Sequence, residues 1–79
     1  MLKVNFEVTD TFGGDANYCW VRRENLEVPD EISDLALVRR AKKFAGFTGE
    51  KCRVENMGDG IAIYPLRSCE VCFITYPYE

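Results

Sequence analysis

The chain has 79 residues, a hydrophobic fraction of 47% and a formal net charge of −3. This length allows one domain with one core and excludes a second domain, so we expect a single domain over residues 1–79. No run approaches the ~18 apolar residues of a membrane-spanning helix. The alternating N-terminus also lacks the charged head and apolar block of a signal peptide, and we therefore expect a soluble, cytoplasmic protein.

The first two segments of the chain predict a β-hairpin. Apolar and polar residues alternate over residues 2–8, as in a half-buried strand. Residues 11–15 contain Gly13-Gly14 and predict a turn or loop. Residues 16–28 are rich in sheet-forming side chains and predict the second strand.

The next segment predicts a helix between Ser33 and Gly46. Ser33 is suited to the N-cap, and Asp34 complements the helix dipole in the first turn. Ile32 and Leu37 have the spacing of a hydrophobic staple, and Gly46 is suited to end the helix. The expected apolar face consists of Leu35, Leu37, Val38, Ala41, Phe44 and Ala45.

Three further strands are predicted after the helix, at residues 51–56, 61–65 and 69–76. The last is apolar on both faces, which favours a central or doubly covered position, and Pro77 disfavours pairing beyond it. The element order is β-β-α-β-β-β. We expect an α+β fold in which one helix packs on a mostly antiparallel sheet of about five strands.

The cysteines and the lack of histidine limit the possible chemistry. The four cysteines are Cys19, Cys52, Cys69 and Cys72. In a cytoplasmic chain we expect free thiols, buried within strands. Cys69 and Cys72 have the spacing of a zinc or redox pair, but strand alternation places them on opposite faces. A structural zinc module using all four cysteines remains the alternative to a protein without metal.

No arrangement typical of an enzyme is visible. The sequence has no histidine, which is the commonest general base and metal ligand. Neither Gly13-Gly14 nor Gly58-Asp59-Gly60 leads from a strand directly into a helix, as a phosphate-binding loop does. We expect a protein that acts by binding, without catalysis and without a cofactor.

Charge is unevenly distributed along the chain. Residues 1–34 carry eight acids and three bases (−5), whereas residues 35–79 carry five acids and seven bases (+2). Five carboxylates lie close together, at Glu24, Glu27, Asp30, Glu31 and Asp34. They predict either a solvated linker or an anionic patch that meets a basic protein groove and competes there with nucleic acid.

Two other groups of residues are candidates for binding. The helix carries four bases, Arg39, Arg40, Lys42 and Lys43. They are typical of a solvated face, although they fit a small nucleic-acid-binding accessory protein or an acidic protein partner as well. We expect Tyr18 and Trp20 to share a face of the second strand with Arg22, and aromatics beside an arginine are typical of interface anchors. That face could also pair two copies, so both a monomer and a homodimer remain open.

Several segments resemble small proteins of phages and mobile elements. They are Asp10-Thr11-Phe12-Gly13-Gly14, Ala16-Asn17-Tyr18, Trp20-Val21-Arg22-Arg23 and Ile32-Ser33-Asp34-Leu35-Ala36-Leu37-Val38-Arg39-Arg40-Ala41-Lys42. Some members of that class are anti-CRISPR proteins of type I systems, with type I-C the leading candidate. The resemblance implies a non-catalytic inhibitor in the host cytoplasm. It would bind the surveillance complex (Cascade) as a DNA mimic and block target DNA binding or nuclease recruitment.

Overall fold

The computed structural model describes residues 2–12 and 15–76. Within them the chain forms, in order, β1 (Leu2–Phe12), β2 (Asp15–Val28), α1 (Asp34–Ala45), β3 (Cys52–Asn56), β4 (Gly60–Pro65) and β5 (Glu70–Thr75). The strands make one antiparallel sheet in the spatial order β2-β1-β5-β4-β3. The predicted α+β fold and element order are confirmed, and β5 is the central strand. Pro77 lies outside the described residues.

The ends of α1 are set by the residues that the sequence predicts. The Ser33 hydroxyl accepts a hydrogen bond from the Ala36 backbone N–H at 3.2 Å. Gly46 has a φ of 83°, the left-handed conformation that favours glycine at a helix C-terminus. The prediction for Leu35 is wrong, because its side chain is 62% exposed. It lies two residues, about 200° around the helix, from the buried Leu37.

The core lies between α1 and one face of the sheet. Alternation along β1 turns Val4, Phe6 and Val8 toward the helix, and all three are buried. The Phe6 and Phe44 rings pack with their centroids 5.7 Å apart. The inner strands complete this layer with Ile61, Ile63, Cys72 and Ile74. One continuous apolar layer therefore joins α1 to β1, β5 and β4.

The opposite face of the sheet carries charged side chains along β1, β2 and β3, whereas Thr9, Ala62 and Val71 on the same face are buried. On this face Arg23 donates to Glu7 at 2.6 Å, and Lys3 lies directly across from Glu27. Arg53 makes an ion pair with Glu55 at 3.4 Å. We call this surface the open face. Its bases lie beside acids, so it has no one-signed charge that would attract nucleic acid.

The expectation of four buried thiols is wrong for two of them. Cys72 is buried and Cys52 is half-buried, whereas Cys19 and Cys69 are exposed. Cys69 lies in a bend before β5, and Cys19 lies in an irregular part of β2 described below. None of the described residues forms a helix long and apolar enough to cross a membrane.

Candidate protein-binding surfaces

An irregular segment interrupts the β1–β2 hairpin. Thr9 faces Val21, but Thr11 faces Ala16, so Asp10 alone lies opposite residues 17–20. We call residues 17–20 the aromatic bulge. Tyr18 within it has a φ of 57°, which is rare for a residue with a side chain. Extra residues on one strand twist and bend it, and such bulges often redirect side chains at binding sites.

Asp10 fixes the shape of the aromatic bulge. Its carboxylate accepts hydrogen bonds from Asn17 Nδ2 and from the Cys19 backbone N–H, both at 2.9 Å. The hydroxyl of Thr9 donates to the Trp20 carbonyl at 2.7 Å. The hydrogen bond from Asn17 is the main reason that the pKa of Asp10 is lowered. The bulge is therefore held by specific bonds from β1 and is not a loose loop.

The hairpin end displays three aromatic side chains to solvent. Phe12 is 79%, Tyr18 51% and Trp20 44% exposed. Tyr18 also lines a hollow of the open face, together with Asn5, Glu7, Arg23, Asn25, Phe73 and Thr75. Exposed aromatics on a braced backbone are suited to contact a protein partner.

The expectation that Tyr18 shares a face with Arg22 is wrong. Arg22 Nη2 donates to the Phe44 carbonyl at 2.8 Å, and its guanidinium lies 5.1 Å from the Phe44 ring centroid. Arg22 is therefore on the helix side, whereas Tyr18 lines the open face. The bulge breaks the strand alternation on which the expectation depended.

The five predicted acidic residues are all exposed, but they do not form one patch. Glu24 lies across from Phe6 on the helix side, where it lines a groove with Arg40 and Lys43. Glu27 points to the open face, opposite Lys3. These two carboxylates therefore face opposite sides of β2, and each has basic neighbours.

The other three carboxylates stay together in the connection between β2 and α1. Asp30 and Glu31 form the turn after β2, and Asp34 begins the helix. All three are exposed, and the sequence contains no lysine or arginine between Glu24 and Val38. We call Asp30, Glu31 and Asp34 the acidic turn. It places three acids within five residues of the sequence.

The basic residues of α1 are divided between two grooves. Arg39, Lys42 and Lys43 line one of them with Thr48 and Gly49. Arg40 and Lys43 line the other, which also contains Glu24. Lys42 Nζ is engaged with the Glu50 carbonyl at 3.0 Å. The predicted basic face therefore offers less free positive charge than the sequence suggests.

The four thiols do not converge. Cys19 is in β2 and Cys52 in β3, which are the two edges of the sheet. Burial raises the pKa of the Cys72 thiol to about 12 and also raises that of Cys52. In residues 2–12 and 15–76, no group of three or more histidine, cysteine or acidic side chains is arranged to hold a metal ion.

Sequence reasoning missed the role of Asp10 and the exposure of Phe12. The strand lengths contained a signal. Residues 2–9 of β1 pair with only eight residues of β2, numbers 21–28, whereas β2 begins six residues earlier, at Asp15. The bulge also contains Asn17, a poor strand former that readily bonds to nearby backbone and carboxylate groups.

Comparisons with known proteins leave these surfaces as the basis for a functional proposal. The chain matches no protein-family model, no curated protein sequence and no solved structure. The aromatic bulge and the acidic turn are therefore interpreted from their own geometry and charge.

Proposed function

We propose that this protein is a non-catalytic inhibitor whose acidic turn docks on a basic, DNA-binding surface of a larger protein assembly. The resemblance described in the sequence points to a type I CRISPR surveillance complex as that assembly, with type I-C the first to test. The observation that carries the proposal is the exposed acidic turn, in a stretch of sequence without lysine or arginine.

The placement of the acidic turn supports a contact with a preformed basic surface. Asp34 is fixed in the first turn of α1, whose N-cap is made by Ser33. Asp30 and Glu31 follow β2 directly, and the Ile32 backbone N–H bonds to the Pro29 carbonyl at 3.1 Å. The carboxylates thus project from ordered backbone, which lowers the entropy lost on binding.

Opposite charges would give this contact speed and selectivity. Complementary fields accelerate association and weaken as salt increases. A row of carboxylates presents negative charges to a groove that otherwise receives phosphates. Binding there would exclude target DNA by occupying the same surface, without any reaction.

The test is target-DNA binding by purified type I-C surveillance complex in a gel-shift assay, with and without this protein. We expect the complex–DNA band to disappear as the protein approaches stoichiometric amounts. An unchanged band at a large excess of protein would overturn the proposal for this complex. A lane with protein and DNA alone tests the rival function, in which Arg39, Arg40, Lys42 and Lys43 bind nucleic acid directly.

A charge-reversal variant locates the contact. We expect Asp30→Lys/Glu31→Lys/Asp34→Lys to weaken inhibition by about tenfold or more, because attraction becomes repulsion. The matched control is Asp15→Lys/Glu55→Lys/Asp59→Lys, which changes the net charge equally at three other exposed carboxylates. Equal effects of the two variants would contradict a specific role for the acidic turn. Thermal melting of both variants confirms that they are folded.

Metal analysis addresses the remaining alternative. A structural zinc module would contain about one zinc per chain and unfold when a chelator removes it. The separation of the thiols across the sheet argues against this function. We expect no change in the melting curve with chelator, and a large downward shift would favour the zinc module.

A further inference from the structure

The outer edge of β2 is the feature that carries an inference beyond the proposed function. In residues 2–12 and 15–76, β2 pairs with β1 on one side and with no strand on the other. Its residues 21–28 pair with β1 without interruption, so this part of the edge is regular. An open edge of this kind presents unpaired backbone N–H and C=O groups that can accept another strand.

We infer that this edge pairs with the same edge of a second copy, antiparallel and with Asn25 on the two-fold axis. A symmetric pairing places one residue of β2 opposite its own copy. Placing Arg22, Arg23, Glu24 or Glu27 on the axis would oppose like charges, which is unfavourable. Asn25 and Leu26 are the uncharged choices among these central positions.

Of these two registers, only the Asn25 register pairs opposite charges between the β2 strands of the two copies. In that register the numbers of facing residues add up to 50, so Arg23 of each copy faces Glu27 of the other. With Leu26 on the axis, Glu27 would face Asn25 and the ion pairs would be lost. Cross-strand pairs of opposite charge stabilise a sheet, so charge selects the Asn25 register.

The same register extends the side-chain rows of the open face across both copies. Within one copy, Lys3 faces Glu27, Glu7 faces Arg23, and Asn5 faces Asn25. Joining two copies gives rows of alternating charge across four strands. Each row contains Lys3 and Glu27 of one copy, followed by Arg23 and Glu7 of the other. The central row contains four asparagines, whose amides can donate and accept along the row. This continuity across the axis favours a second copy over an unrelated peptide as the occupant.

The pairing leaves both candidate surfaces accessible. Within β2 the paired segment covers residues 22–28, whereas the aromatic bulge ends at Trp20 and the acidic turn begins at Asp30. Helix α1 packs mainly over β1 and β5, and residues 22–25 of β2 are exposed. A dimer would therefore display two acidic turns and two bulges around one ten-stranded sheet.

Sedimentation of the unmodified protein is the first test. We expect twice the chain mass of 9.1 kDa at micromolar to millimolar concentration, with dissociation on dilution. A mass of one chain up to ~1 mM would overturn the inference. Glu27→Gln removes two cross-chain ion pairs and should raise the dimer dissociation constant by about two- to thirtyfold. Glu55→Gln, on the opposite edge strand, should leave it unchanged.

Cysteine cross-linking tests the register itself. Facing residues of antiparallel strands have Cα atoms about 4.5–5.5 Å apart, a distance that a disulfide spans. In a Cys19→Ser/Cys69→Ser background, we expect Asn25→Cys to form a covalent dimer rapidly under mild oxidation. Glu55→Cys, at an exposed position on β3, is the matched control. Failure of Asn25→Cys to cross-link, or equal cross-linking of both variants, would rule out this register.

Discussion

Strands β4 and β2 belong to the same sheet but face different surroundings. Five of the six residues of β4 are buried, from Gly60 to Ile63 and at Pro65. Of the 14 residues of β2, only Val28 is buried. Most side chains of the inner strand β4 are packed in the interior, whereas most side chains of the outer strand β2 contact solvent. This difference suggests that the interior strands carry the stability of the domain, whereas β2 and the segments beside it are free to serve recognition.

The contrast between inner and outer strands can be tested at one cross-strand pair. Ile63 of β4 faces Val54 of β3, yet Ile63 is fully buried and Val54 is 48% exposed. Ile63→Ala should cost about 2–5 kcal/mol of unfolding free energy, because it removes buried methyl groups and leaves a cavity. Val54→Ala should cost less than about 1 kcal/mol. Urea unfolding of both variants measures the two free energies.

Similar losses for these two variants would break the comparison. They would mean that the Val54 side chain is packed as closely as that of Ile63, although Val54 is 48% exposed. A large loss at Ile63 alone would place the stabilising packing in the inner strands, where the core faces α1.

The sequence predicts most of this fold because its signals are local. Ser33, the apolar stripe and Gly46 define α1 within a single segment, and alternation defines β1. Strand order depends on contacts between distant segments, and no local pattern encodes it. Strand alternation alone predicts that Glu24 and Glu27 lie on opposite faces of β2, because an odd spacing turns two side chains to opposite faces. The aromatic bulge could not be predicted from the sequence of β2 alone, because Asp10, whose carboxylate holds it by hydrogen bonds, lies on β1.

The aromatic bulge offers a smaller test, within the recognition side of the molecule. Asp10→Ala should loosen the bulge without unfolding the sheet, because its carboxylate bonds to Asn17 and Cys19 of the bulge and otherwise, among the described residues, only accepts a longer bond from its neighbour Thr9, at 3.3 Å. Trp20 is the only tryptophan in the chain, so its fluorescence reports on this segment. We expect greater quenching by a soluble quencher and faster exchange of the Cys19 amide. Asp15→Ala, at an exposed acid of the same hairpin, is the control.

Acid should reproduce the effect of the Asp10 substitution. The pKa of Asp10 is lowered from its ordinary value of 3.8 in the folded protein. Its charged form therefore stabilises the bulge at pH values above that ordinary pKa. This stabilisation is lost as the pH falls through the lowered pKa. Trp20 quenching should therefore increase at strongly acidic pH in the unmodified protein and remain nearly constant in Asp10→Ala. The same acid response in both proteins would assign the change to other carboxylates.

The smallest effect, on thiol reactivity, separates the two regions without changing stability. Cys19 and Cys69 are exposed, whereas Cys72 is buried against α1 with a pKa raised to about 12. Because the thiolate is the reactive form, alkylation at pH 8 should label the exposed pair first, Cys52 next and Cys72 last. Mass spectrometry of time points gives the four rates. Labelling of Cys72 should then follow the opening of the core, so Ile63→Ala should accelerate it while Asp10→Ala leaves it unchanged. Acceleration by Asp10→Ala would show instead that the bulge and the core open together, and that the inner and outer strands are not independent in the way their burial suggests.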